Sequence, residues 1–420
     1  MTNQANQKAN QKGLTAQQAL SLSFQLIREH KLEQAEQLLT QLHNQLPDAL
    51  PVAQGQAALA FAKGDFNTAL PLYKKVAGSA PENANFMLDL AVCHYENGQY
   101  KQAAAVCENI LQSEAENINA LNLGAECYMA AGNDAKAAEL YKKALKADSD
   151  NPSTLLGHAL TLAVTGEAKK AITTLEKLIE KPTAPKPLRA NGLLYKALLL
   201  LERGEKSRAD RLVNDALKLE GETFKPRHAS YYYYKENGGG APLMWSMAQS
   251  YTHALKAAPK EGLNLEFGVR FGNSLSFLAG HDKQQWHGFD SFEGLPEDWV
   301  EGFTKGAYST GGEVPELAEN ITLHKGWFNE TLPAFLNKNK EPLRFANIDC
   351  DIYSSTRTIL ENLTDRLQPG SVLVFDEYIV TSGWQDHEYK AFQEWIKSTG
   401  RSYKYLSFNV FTKQVAVQLT

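Results

Sequence analysis

Small residues fall into columns along the first half of the chain. Ala57, Ala91, Ala125 and Ala159 stand 34 residues apart, as do Gly64, Gly98, Gly132 and Gly166, and then Ala69, Ala103, Ala137 and Ala171. A repeat of that length, with larger apolar residues between the columns, predicts pairs of helices. The alanines let two helices approach closely, and the glycine makes the turn between them. A degenerate copy with Ala35 and Pro47 precedes these, and a displaced one with Gly204 and Ala209 follows. Pro81, Pro152 and the run KPTAPKP (181–187) punctuate the junctions. From 262 onward the pattern changes to short apolar runs alternating with amphipathic stretches. GLNLEFGV, QWHGFD, NITLHKG, LRFANIDCDI and GSVLVFDEY read as strands, and YKYLSFNVFTKQVAVQL as a closing pair of them. Helices are predicted from Asn273, near ETLPAFLNK, over STRTILENLTDRL and over HEYKAFQEWIKSTG. Such alternation implies a doubly wound parallel sheet, which binds ligands at the carboxyl ends of its strands.

The period of the first half, with Tyr73 and Tyr141 in one of its large-residue columns, resembles the tetratricopeptide repeat. The fold expected is thus an α-solenoid followed by a Rossmann-like α/β domain. The boundaries read as a disordered polar tail at 1–14, a solenoid at 15–222, a linker at 223–242 and the α/β domain at 243–420. The resemblance implies a protein or peptide partner on the solenoid's concave face. Four tyrosines in line, Tyr231 to Tyr234, are read as packing on the last repeat helix in preference to gripping a ligand.

Composition narrows the classes. At 420 residues the chain is long enough for two or three domains, and a net charge of -5 with no basic stripe argues against a nucleic-acid partner. No apolar run is long enough for a bilayer, and the Gln/Asn-rich start lacks the apolar centre of a signal peptide. The four cysteines, Cys93, Cys107, Cys127 and Cys350, form no C-x-x-C pair, so a reduced cytoplasmic setting is expected. Cys93 and Cys127, one period apart, read as packing in preference to a redox or metal pair. The sequons at Asn320 and Asn329 then read as chance matches.

The chemistry is expected in the second half. In LEFGVRFGNS, Gly268 and Gly272 permit a tight turn and close backbone approach between a strand and a helix, and Glu266 precedes the turn. Asp290 ends the next strand about twenty residues on, where an acid can take ribose hydroxyls. Together these look like class I S-adenosylmethionine-dependent methyltransferases, with a dehydrogenase as the alternative, disfavoured because Arg270 or Phe271 stands where the dinucleotide fingerprint has its middle glycine. The motifs GFDSFEGLPEDW, KGWFNETLP, NIDCDIYSST and PGSVLVFDEY occur in the order and spacing of the macrocin O-methyltransferase family. That resemblance covers about residues 243 to 420 and implies methylation of sugar hydroxyls with magnesium. It implies cofactor contacts at Glu266, Gly268, Gly272, Asn273, Ser274, Asp290, Ser291 and Trp327, a metal held by Asp349, Asp376 and Glu377, and Asp351 as general base. Glu377 departs from the family, which usually has a second aspartate there.

The residues support that chemistry independently. A hydroxyl is a poor nucleophile at neutral pH, so a cation or a nearby carboxylate is needed to remove its proton. On a strand Asp349 and Asp351 would lie side by side on one face, with Cys350 on the other. The bland reading makes either one a cap of the helix starting at Ser354 or Ser355. His387 is either an alternative base or a helix-start residue, and Trp384 a wall of the acceptor site. Residues 297–316, rich in glycine and acid, read as a lid, and Trp327 and Phe328 as flanks of the adenine, with core packing an equal reading for Phe328. The function expected is S-adenosylmethionine-dependent O-methylation of a hydroxyl-bearing acceptor, a glycan among the candidates. The rivals are a protein methyltransferase fed by the repeats, and a repeat scaffold whose transferase domain has lost activity.

Overall fold

The computed structural model describes residues 14–420, with Asn67 described by its backbone alone. The expected disordered tail, Leu14 excepted, lies outside the described residues. Among the described residues twelve repeat helices follow one another: α1 (Ala16–Arg28), α2 (Leu32–Gln45), α3 (Leu50–Ala62), α4 (Phe66–Ser79), α5 (Ala84–Glu96), α6 (Tyr100–Ser113), α7 (Ile118–Ala130), α8 (Asp134–Ala147), α9 (Pro152–Val164), α10 (Ala168–Ile179), α11 (Lys186–Glu202) and α12 (Lys206–Glu220). The alanine columns account for their pairing. Ala57, Ala91, Ala125 and Ala159, and Ala69, Ala103, Ala137 and Ala171, are all buried. Each turn glycine, Gly64, Gly98, Gly132, Gly166 and Gly204, takes a φ of 73 to 80°, the left-handed region a side chain enters only with strain. Asp65 and Asn133 cap the helices that follow, accepting the N–H groups of Thr68 and Lys136. The cysteines are buried and form no disulfide.

Two compact units divide the chain, one ending at Leu123 and one comprising Gly124–Thr420. Within the second, the later repeat helices are tied to the α/β part. The Ser246 hydroxyl donates to Asp134 Oδ2 at 2.7 Å, the Gln249 amide donates to the Val164 carbonyl at 2.9 Å, and Tyr195 meets Trp245 and Phe411 edge-on. The stretch expected as linker is helical over α13 (Lys225–Asn237). Its tyrosines serve both sides. Tyr231 donates to Asp210 of α12 at 3.0 Å, as expected of packing on the last repeat helix, whereas Tyr233 packs on Trp384, Tyr389 and Tyr405.

The α/β part is built from α14 (Met247–Ala257), β1 (Leu263–Phe267), α15 (Asn273–His281), β2 (Trp286–Asp290), β3 (Ile321–Lys325), α16 (Phe328–Lys338), β4 (Leu343–Ile348), α17 (Tyr353–Leu363), β5 (Val372–Phe375), α18 (Glu388–Thr399), β6 (Tyr403–Phe408) and β7 (Val415–Leu419). The seven strands form one sheet in the order β3-β2-β1-β4-β5-β7-β6. Every residue of β1, β4 and β5 is buried, as continuous apolar runs covered on both faces require. The sheet is mixed where a parallel one was expected. β7 runs antiparallel to β5 and β6, because the six residues between β6 and β7 suit a hairpin and are too few for a crossover. Strand order reverses between β1 and β4, which opens a crevice at the carboxyl ends of the central strands.

A histidine pair lies on the sheet beneath α16. His287 Nδ1 and His324 Nε2 are 3.2 Å apart, and His287 packs on Phe335. Burial first, then the neighbouring His324, lowers His287 from 6.5 to about 4. The folded chain thus holds it neutral while the unfolded chain protonates below 6.5, so stability is lost as pH falls from about 6.5 towards 4. For a half-buried group the loss is on the order of 1 kcal/mol. Thermal melts at pH 7.5 and pH 5 should show it, with a smaller difference in His287→Gln.

Candidate active site

Strand register sets out the site. Phe267 pairs with Phe289 of β2 and with Ile348 of β4, and Ile348 pairs with Phe375 of β5. The next residues along these four strands, Gly268, Asp290, Asp349 and Asp376, therefore stand in a row along the carboxyl edge of the sheet. Backbone bonds fasten the row: Asp349 N–H donates to the Phe267 carbonyl at 2.8 Å, and Asp376 N–H to that of Ile348 at 2.9 Å.

The glycine turn packs against this edge. Gly268 has φ 89°, and a Cβ there would lie 1.7 Å from the Asp349 carbonyl oxygen. Gly272, at φ 72°, precedes α15, placing Asn273 and Ser274 in the helix's first turn. Asp290 anchors the loop: Oδ2 accepts the N–H groups of Val269 at 2.7 Å and Arg270 at 2.8 Å, and Oδ1 accepts that of Phe292 at 2.7 Å. Glu266 is fully buried and serves the same turn from below, accepting from the Ser274 hydroxyl at 3.0 Å and the Asn347 amide at 3.1 Å. Burial pushes its carboxyl up to about 8. Ser291 is buried and its hydroxyl accepts the Glu293 N–H. Trp327 is half-buried at the N-cap position of α16, with no side-chain bond to the helix, while Phe328 meets Phe267 edge-on, the packing reading. The cradle that only glycine fits, at the N-terminus of a nine-residue helix, suits a nucleoside-type cofactor.

β4 stops at Ile348, so the aspartates lie beyond the strand, contrary to the reading that set them side by side on its face. Asp351 takes a φ of 64°, in the left-handed region. Asp349 is raised well above the usual carboxylate range by burial, then by the charges of Asp376 and Asp351. Asp351 is raised likewise, by burial and then Glu377 and Asp376, against which Lys413 and Arg270 act. Asp376 is pushed up to about 7 by burial and Glu377. Capping is not the role either aspartate plays: α17 has Ile352 at its N-cap position, with no side-chain bond there.

Several residues of the site were not singled out from the sequence. The hairpin between β6 and β7 brings Lys413 Nζ to 2.6 Å from Glu377 Oε1, and the Gln414 amide donates to Asp376 Oδ1 at 2.7 Å. The Thr381 hydroxyl donates to the other oxygen of Glu377. Glu388, the first residue of α18, is buried and accepts the Glu377 N–H at 3.0 Å. The expected lid runs without helix or strand, and its Tyr308 lies against the Arg270 guanidinium, 5.1 Å from ring centroid to cation. The charges of Asp351 and Glu377 act on that phenol after burial. Trp299 of the lid faces His387, which immediately precedes α18. Trp384, expected as an acceptor wall, is buried against Tyr233 and Tyr389.

Magnesium fits this set poorly as folded. Both Glu377 oxygens are engaged and one Asp376 oxygen holds Gln414. Among the described residues no three His, Cys, Asp or Glu side chains converge as a metal cradle. No helix among them is long and apolar enough to cross a membrane.

Models of known families match in both parts of the chain. A tetratricopeptide-repeat model matches residues 60–127, one described as anaphase-promoting complex, cyclosome, subunit 3 matches 99–178, and one described as a methyltransferase domain matches 265–378. A curated relative, the 8-demethyl-8-(2,3-dimethoxy-alpha-L-rhamnosyl)-tetracenomycin-C 4'-O-methyltransferase of Streptomyces olivaceus, is 36% identical over 64 residues, 15% of this chain. The chain thus spans 23% of that relative's length. Among solved structures, Pseudomonas aeruginosa pilF is 17% identical with a TM-score of 0.43, covering 52% of this chain and 96% of that one. CalS11, a calicheamicin methyltransferase, is 20% identical with a TM-score of 0.33, covering 60% of this chain and 92% of its own. The chain carries tetratricopeptide repeats in its N-terminal part and a methyltransferase domain in its C-terminal part.

Proposed function

We propose that the protein is an S-adenosylmethionine-dependent O-methyltransferase acting on a sugar-type hydroxyl in the cytoplasm, with its repeats recruiting a protein partner or the acceptor. The observation that carries the reading is the row Gly268, Asp290, Asp349 and Asp376, in which a glycine turn lies beside a cluster of carboxyl groups. The curated relative supports the acceptor class, since its printed name describes an O-methyltransferase of a rhamnosyl-bearing compound.

Bound S-adenosylmethionine supplies a methyl group on a positively charged sulfur. Gly268, Gly272 and the N-terminus of α15 seat it, and Asp290 holds the loop in shape. Asn273, Ser274, Ser291 and Trp327 border that seat. Glu266 supports the turn from beneath and reaches the cofactor only through it. Asp351 would take the acceptor's hydroxyl proton, while the cofactor would give up its methyl group and keep the carbon–sulfur electron pair on sulfur. His387, beside the lid's Trp299, is the second candidate for the proton. The magnesium that the macrocin-type resemblance implies would require Asp349, Asp376 and Glu377 to converge, so deprotonation falls to the chain's own carboxylates.

Calorimetry of the full-length protein with S-adenosylmethionine tests the reading. The unmutated protein should bind it. Asp290→Ala leaves three loop N–H groups without their acceptor, so binding should weaken about tenfold or more, at about 1–3 kcal/mol for the group lost. A protein that gives no heat with S-adenosylmethionine would make the chain a repeat scaffold with an inactive domain.

A further inference from the structure

The hairpin that closes the sheet reaches back into the acidic cluster. Asn409 shapes it, accepting the N–H groups of Phe411 at 3.0 Å and Thr412 at 2.9 Å, while its own N–H donates to the Gln414 carbonyl. Lys413 takes a φ of 68° there, a conformation lysine seldom adopts. Backbone strain of this kind persists where surrounding contacts over-determine it. Here the contact is the ammonium group on Glu377 Oε1 at 2.6 Å, with the Glu377 side chain only 9% exposed. The following residue, Gln414, hands its amide to Asp376, so two adjacent hairpin residues serve two adjacent acids. Thr381 holds the remaining Glu377 oxygen.

A divalent ion among these carboxylates would need oxygen ligands from several of them and would stand beside a fixed ammonium. Like-charge repulsion and the loss of Glu377 both oppose that. A lysine ammonium, a compact charge with three donors, meets the same need to join crowded carboxylates.

We propose that Lys413 is the resident counter-ion of the carboxylate cluster, a positioning residue that fills the place of a divalent metal, and that this transferase works without one. The inference rests on the methyl-transfer reading for what the cluster does. It stands apart from that reading in what holds the cluster together.

The test is calorimetry of the full-length protein with magnesium chloride alone, then with S-adenosylmethionine in the presence and absence of a chelator. The unmutated protein should show no saturable magnesium binding at millimolar concentrations, and its affinity for S-adenosylmethionine should not change with chelator. Lys413→Met frees one Glu377 oxygen and removes the ammonium charge, and should gain saturable magnesium binding, about tenfold or more above the unmutated protein. Lys413→Arg, which keeps the charge, should not. Saturable magnesium binding by the unmutated protein that Asp349→Asn removes would overturn the proposal. So would a folded Lys413→Met that gains none. Should Lys413→Met fail to fold, the titration of the unmutated protein still decides the matter. Absence of S-adenosylmethionine binding would sink the transferase reading and leave the magnesium result to judge Lys413 separately.

Discussion

Gly268→Val is expected to abolish S-adenosylmethionine binding and to destabilise the α/β part by about 3 kcal/mol or more. Two costs add. At φ 89° a β-branched residue is strained whatever the space around it, and its Cβ would fall 1.7 Å from the Asp349 carbonyl oxygen. That oxygen is backbone at the exit of β4, so no side-chain rotation relieves the clash. Either the turn lifts off the sheet edge, spoiling the cradle, or Asp349 moves, spoiling the cluster. Gly280 is the control. It lies within α15, an added Cβ there meets nothing within 4 Å, and Gly280→Ala should leave binding intact and the melting temperature equal or slightly higher. Thermal melts and calorimetry on the two variants decide it.

Asp351→Asn should leave cofactor affinity within about twofold and lower the rate of methyl transfer about 10²–10⁴-fold, the usual worth of a positioned general base. Asparagine keeps the size and tolerates the left-handed backbone at 64°, so the fold should survive. What is lost is the ability to take a proton. His387→Ala should cost less than tenfold if Asp351 is the base. The reverse ranking would make the histidine beside Trp299 the base. Single-turnover rates with saturating cofactor separate the two.

The repeats were legible because their constraint is local. Each of Gly64, Gly98, Gly132, Gly166 and Gly204 sits at a left-handed turn, and a glycine column needs no knowledge of distant chain. The central strands β1, β4 and β5 were legible for a similar reason, since buried parallel strands are continuous apolar runs. Parts of the candidate site were less so. That Asp290 would spend its carboxylate on Val269, Arg270 and Phe292 depends on how two loops meet, and spacing alone shows only that an acid ends the strand. The side-by-side placement of Asp349 and Asp351 assumed a strand that in fact stops at Ile348. Lys413 and Gln414 reach the acidic pair only through the register of β6 on β7, which shifts between Tyr405 and Ser407. A polar Lys-Gln pair between two apolar runs was the one signal available, and it equally describes an ordinary solvated hairpin. The expected linker hid a helix because four aromatic residues in line carry no helical periodicity.

The most direct measurement is transfer of a labelled methyl group from S-adenosylmethionine by the full-length protein to cell-extract fractions separated into proteins, glycans and small molecules. Label should enter the glycan or small-molecule fraction as an alkali-stable ether and fall away with Asp351→Asn. Label confined to the protein fraction would contradict the account.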